Sequence, residues 1–118
     1  MTAEERIKHF NKEQKKLQKL FKNKLDTENY KTAEGLIENA AFMYSSLKEL
    51  QEAIAVEGYI EEYQNGNNQF GRKESTCIRV YNATVKNYYT VIKMLVSLIN
   101  KDNTAPEDDT LMDFLKLN

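Results

Sequence analysis

Six lysines, Lys8, Lys12, Lys15, Lys16, Lys19 and Lys22, recur at helical spacing near the start of the chain. A row of ammonium groups has one obvious chemistry, the neutralisation of phosphates, with an affinity that falls steeply as salt is added. Arginine, the usual reader of base edges, stands in this segment only as Arg6, so the row suits phosphate contact over sequence readout. A solvated helix face, or a face paired with the acidic segment that follows, would use the same residues. A membrane-surface helix fits less well, because Ile7, Phe10, Leu17, Leu20 and Phe21 make only a modest apolar face without tryptophan. A second basic pair, Arg72 and Lys73, sits among Tyr63, Phe70, Asn65, Asn67, Asn68 and Gln69. That mixture serves phosphate and base contacts or a subunit interface. The two aromatics are expected chiefly to pin the segment to neighbouring helices.

Groups that make or break bonds are scarce. His9 is the sole histidine and Cys77 the sole cysteine. A Cys-His pair lacks an acid partner and a nucleophile elbow, and no Cys/His cluster exists for zinc. The adjacent carboxylates Glu61-Glu62 and Asp108-Asp109 point to opposite sides of an extended backbone and serve one substrate poorly. No glycine-rich loop ends in Gly-Lys-Ser/Thr, so nucleotide hydrolysis is not supported. The expectation is a protein that is not an enzyme, without metal or cofactor.

The elements that position these residues follow from composition. With 41% hydrophobic and 30% charged residues, one proline and four glycines, the chain is too apolar for disorder and too poor in turn residues for an all-β fold. Its net charge of −1 conceals an asymmetry: residues 1–25 hold eight Lys/Arg against three Glu, and residues 26–62 two Lys against nine Asp/Glu. No apolar run approaches a membrane span and charges recur through the N-terminus, so a soluble, cytoplasmic protein without membrane contact is expected.

A first helix is expected over 3–24, with Ile7, Phe10, Leu17 and Phe21 on one stripe and a Thr2/Glu5 capping box. Asp26-Thr27 offers a cap for a second helix over about 28–57. Its seam is Leu36, Ala40, Met43, Leu47, Leu50 and Ile54, widened by Ala33, Ile37, Ala41, Tyr44 and Ala55 to a face suited to more than one partner. Gly58 stands where a left-handed cap is wanted, and Asn65-Gly66 signals a two-residue hairpin turn or an ordered loop. Ser75 or Thr76 caps a third helix to about Asn100, on which Ile78, Tyr81, Val85, Tyr88, Ile92, Leu95 and Ile99 alternate by three and four. The expected fold class is all-α: an antiparallel long helix pair with a short hairpin-like or loop insert, a basic N-terminal helix and a flexible tail. One helical domain then covers 1–100, divided at 25, 57 and 75, and 101–118 form a linker and docking tail. Tyr89, Val91, Met94, Val96 and Leu98 would stay exposed on a lone helix pair, so the first helix or another subunit should cover them.

The segment from Val56 to Ser75 resembles the polar insert between two helices of phage terminase small subunits, and the likeness extends from Leu50 to about Leu98. Gly58, Asn65, Gly66, Gln69, Gly71 and Ser75 match the insert pattern. The form it resembles is that of phages and prophages of low-GC Gram-positive bacteria. The resemblance implies a non-catalytic DNA-packaging protein that forms a ring-like homo-oligomer, binds double-stranded viral DNA and passes it to the terminase large subunit, which carries the ATPase and nuclease activities. In that role the basic residues Lys8, Lys12, Lys15, Lys16, Lys19, Lys22, Arg72 and Lys73 are the expected DNA contacts, and the likeness of the third helix to the oligomerising helices implies an interface at Tyr81, Val85, Tyr88, Ile92 and Leu95. The tail residues Leu111, Met112, Phe114 and Leu115 would engage the large subunit. One departure is that no helix-turn-helix with a clear turn glycine precedes residue 36. The alternative is a helical oligomeric interaction protein with no nucleic-acid role, its basic helix paired with Glu34, Glu38, Glu49 and Glu52.

Overall fold

The computed structural model describes residues 1–102. Helix α1 (Ala3–Lys22) is followed by α2 (Thr27–Glu57), strands β1 (Ile60–Asn65) and β2 (Gln69–Glu74), and α3 (Thr76–Asp102). The chain is therefore mostly helical, and the insert is a two-stranded antiparallel sheet. The tail residues Leu111, Met112, Phe114 and Leu115, and the Asp108-Asp109 pair, lie outside the described residues.

Local chemistry sets the boundaries. Thr2 Oγ1 accepts the Glu5 backbone N–H at 3.2 Å, and Asp26 accepts that of Asn29 at 2.8 Å, each satisfying an amide with no partner inside its helix. Ser75, 2% exposed, accepts the Ile78 N–H, so Ser75 and not Thr76 caps α3. Thr76 donates its N–H and its hydroxyl to the Glu61 carboxylate, both at 3.2 Å. Gly58 ends α2 with φ 81° and ψ −167°. This is not the left-handed helical cap expected from sequence but an extended conformation at positive φ, a region that side chains other than glycine's essentially never occupy.

Helix α2 is the central element. Gln51 meets Tyr81 and Tyr44 meets Tyr88, so α3 runs antiparallel to it. Arg6 meets Glu49 and Phe10 meets Phe42, so α1 does the same on its other side. Alanines at 33, 40 and 41 let both neighbours approach the α2 backbone. The core lies at the end where all three helices meet, built from Leu17, Phe21 and Leu25, Ala33 and Ile37, and Ile92, Leu95, Val96, Leu98 and Ile99. Val96 and Leu98 are thus buried in the shared core, whereas Tyr89 and Met94 stay exposed, at 44% and 51%.

The hairpin projects from the far end of the helix pair, and the molecule measures 62 × 31 × 23 Å. Two expectations change here. Asn65 pairs with Gln69, leaving a loop of Gly66, Asn67 and Asn68 instead of a two-residue turn. Nor do the aromatics pin the insert to the helices: Tyr63 and Phe70 are 41% and 73% exposed. The hairpin is joined to the helices through main-chain and capping bonds, including Ser75 N–H to the Tyr59 carbonyl at 2.8 Å. The Tyr63 ring instead lies across its strand partner Gly71, where a Cβ would overlap the ring. Because the overlap is with the outer end of a half-exposed side chain, Gly71→Ala should swing the Tyr63 ring outward. We expect a cost below about 1 kcal/mol in global stability and faster amide exchange confined to β1 and β2, read by hydrogen-exchange mass spectrometry.

Candidate nucleic-acid interface

Helix α1 buries Glu13, Leu17 and Phe21 on one stripe. At 100° per residue, Lys8, Lys12, Lys15, Lys19 and Lys22 fall on the opposite side, and all five are exposed. Lys16, half-buried, flanks this row toward α2. From Lys8 to Lys22 the row is about 21 Å long at 1.5 Å per residue. A duplex presents roughly a dozen phosphates over that length, so the row could be matched along its whole extent. Among the described residues none of these five lysines is in an ion pair, and those that α1 makes to α2 use other groups. Arg6 grips Glu49 at 2.7 and 2.9 Å, and the Met1 amine approaches Glu52 at 3.9 Å. The hydrogen bond from Arg6 holds the Glu49 carboxyl below the usual range.

The second basic pair is arranged differently. Lys73 stands directly across the ladder from Glu61 and pairs with it at 3.2 Å, and Arg72 stands across from Glu62. Glu61 is held ionised first by the Thr76 N–H and then by Lys73. Lys73 is thus already neutralised within the hairpin, and the lysine row of α1 is the stronger electrostatic feature.

Of the residues expected at an oligomer interface, Ile92 and Leu95 belong to the chain's own core, at 2% and 0% exposure, because α1 and α2 close over them. They are not surface and cannot meet another subunit in this fold. Tyr81 and Tyr88 are half-buried against α2, and Val85 is 37% exposed, leaving Val85 the most accessible of the five.

His9 and Cys77 are not brought together. His9 lies beside Tyr44 and Lys48, and Cys77 donates to Glu57 at 3.7 Å, roughly 14 Å further along α2 at 1.5 Å per residue. Partial burial, then the Glu57 charge, push the Cys77 thiol up, away from the thiolate form. No group of His, Cys, Asp and Glu among the described residues is arranged to hold a metal ion. No described helix is long and apolar enough to cross a membrane.

Sequence reasoning passed over Glu13. It is 4% exposed, and its Oε1 has no hydrogen-bond partner. A pocket of about 250 Å³ adjoins it, lined by His9, Lys12, Lys16, Tyr44 and Lys48. Burial pushes the Glu13 carboxyl above its ordinary value, against the opposing pull of Lys16, Lys48 and Lys12. The Tyr88 hydroxyl is pushed up by burial and by the Glu13 charge. The spacing of Glu13 with Leu17 and Phe21, four residues apart each time, was the available sign that this carboxyl shares the buried stripe.

A folded-state value raised above the unfolded one means that the carboxyl stabilises the fold most in its acid form. That contribution is complete below the ordinary value of 4.5 and is lost as pH rises through the folded value. Glu13→Gln, neutral at every pH, should therefore raise the melting temperature at pH 7–8. The expected gain is about 1–2 kcal/mol, the scale of an unsatisfied buried polar group, and it should vanish near pH 4 in calorimetry.

No known family matches the chain. No curated protein and no solved structure is significantly similar to it.

Proposed function

We propose that this protein is a non-catalytic DNA-binding adaptor that grips the phosphates of duplex DNA through the lysine row of α1. The observation that carries this reading is the placement of Lys8, Lys12, Lys15, Lys19 and Lys22 on one exposed side of α1, opposite its buried stripe and outside any ion pair among the described residues. A helix in that position neutralises charge without reading sequence. The specific role proposed is that of a phage terminase small subunit, a homo-oligomer that binds viral DNA and recruits the large ATPase and nuclease subunit. It comes from the likeness of Val56–Ser75 and its flanking helices, and the hairpin between two antiparallel helices is compatible with it. Oligomerisation would use the exposed side of α3 around Val85 and Tyr89 instead of Ile92 and Leu95.

The Arg6–Glu49 pair favours a second reading, a helical interaction module whose basic helix serves only to pack on acidic α2. Light scattering after size exclusion, with and without duplex DNA at low and moderate salt, separates the two. A closed oligomer that co-elutes with DNA at low salt is expected of the packaging adaptor. A monomer or dimer indifferent to DNA would overturn it in favour of the interaction module.

A further inference from the structure

The lysine row leaves one basic feature unused. Lys48, on α2, is not part of the row, yet it lines the same pocket as Lys12 and Lys16, with its ammonium 5.2 Å from the centre of the Tyr44 ring. Around the pocket α1 contributes His9, Lys12, Lys16 and Glu13, α2 contributes Tyr44 and Lys48, and α3 approaches Glu13 with Tyr88. Cations from two helices converge on a space of about 250 Å³. That is smaller than a drug-sized ligand needs, roughly 300 Å³ upward, but is equivalent to about eight waters at ~30 Å³ each. It suits a small polyatomic anion or one group of a polymer.

Glu13 is the element that does not fit a simple anion site. Its carboxyl is buried beside these cations, and one oxygen has no partner. An ionised carboxylate there would repel an entering anion in a setting of weak screening. In its acid form the same group is neutral, gains one O–H donor, and no longer opposes an anion drawn by Lys12 and Lys48.

We propose that this pocket holds a phosphate group of the DNA that the α1 row attracts, and that Glu13 must carry a proton for it to do so. Entry of the phosphate draws one proton from solvent onto Glu13, so binding weakens as pH rises. The proposal rests on the DNA-binding reading for the source of the phosphate, while the pocket itself can be probed without DNA.

The test uses fluorescence anisotropy of a labelled duplex at pH 6 and pH 8 at fixed salt. The proteins compared carry Glu13 or Glu13→Gln, both with His9→Gln, so that the imidazole lining the pocket is removed from the comparison. One linked proton changes affinity by at most about tenfold per pH unit. We expect the Glu13 protein to bind about fivefold more weakly at pH 8 than at pH 6, and the Glu13→Gln protein to change less than about twofold. Lys48→Gln, a variant outside the row, should lower the salt slope by about one. Inorganic phosphate alone, followed by amide shifts of Lys12, Glu13 and Lys48, should perturb the pocket at pH 6 and not at pH 8. DNA binding with the same pH profile in both proteins and no phosphate-induced shifts would overturn the pocket and leave the lysine row standing. No DNA binding together with phosphate-induced shifts at pH 6 would overturn the row and keep the pocket. Silence in both arms would overturn both.

Discussion

Phe21→Ala is expected to destabilise the protein by about 3–5 kcal/mol, the range for deleting a fully buried aromatic ring. Phe21 is 0% exposed, at the end of α1 where the three helices meet. Its ring packs in one cluster with Leu17 and Leu25, Ile37 on α2, and Ile92, Leu95 and Ile99 on α3. Alanine would leave a cavity that rigid helices on either side cannot close. Because small domains are stable by only about 5–15 kcal/mol, a large part of the folded population should be lost. Urea unfolding followed by circular dichroism would measure it. A loss below about 1 kcal/mol would mean that α1 is not integral to the core. An exposed apolar residue on the same helix, Ile7 at 59% exposure, provides the contrast, and Ile7→Ala should cost far less.

The second large effect concerns binding. Lys8→Glu, Lys15→Glu and Lys19→Glu together should weaken duplex binding about 500-fold at 0.1 M salt, since each lost phosphate contact removes roughly 0.9 of a log unit at that concentration. Stability should change by less than about 0.5 kcal/mol, because the three side chains are exposed and none is in an ion pair among the described residues. The separation of the two readouts matters. Under the interaction-module reading the same reversals would disturb assembly or stability and leave DNA irrelevant. Lys12 and Lys16 are left intact in this variant because they also line the pocket beside Glu13.

Much of the fold was legible in the sequence where periodicity was long. The three-four alternation from Ile78 to Ile99 marked α3, and the unusually wide apolar face of α2 anticipated packing against two helices, which Ala33, Ala40 and Ala41 permit. Capping residues fixed the helix starts because their chemistry is local: Thr2 and Asp26 accept the amides that their positions imply. The insert was less legible. Asn65-Gly66 marks a turn, but the loop length depends on the register set by Tyr63 lying across Gly71, a contact between residues on different strands. The aromatics Tyr63 and Phe70 looked like anchors because aromatic burial is the common outcome; a hairpin standing beyond the helix ends offers them no helix surface to cover.

The candidate site shows the same division. The lysine row could be read from spacing alone, since exposure on α1 follows from lying opposite Leu17 and Phe21. The neutralisation of Lys73 by Glu61 could not, because it requires the cross-strand register. Nor could the assignment of Ile92 and Leu95, which share a stripe with Tyr81 and Val85 but lie where α1 reaches the helix pair. Glu13 was hidden by its surroundings in sequence: one acid among lysines reads as a solvated charge until the rotation of α1 on α2 turns it inward.

The most direct measurement of the central claim is the salt dependence of duplex binding by the unmodified protein, from about 50 to 200 mM at fixed pH. Five exposed lysines on phosphates predict a contribution of about −4.5 to the slope of log affinity against log salt, at about −0.9 per contact, and the proposed Lys48 contact adds about −0.9. The Lys8/Lys15/Lys19 reversal should make it shallower by about 2.7. A slope near zero, or one that the three reversals leave unchanged, would contradict the account and remove α1 from any DNA interface.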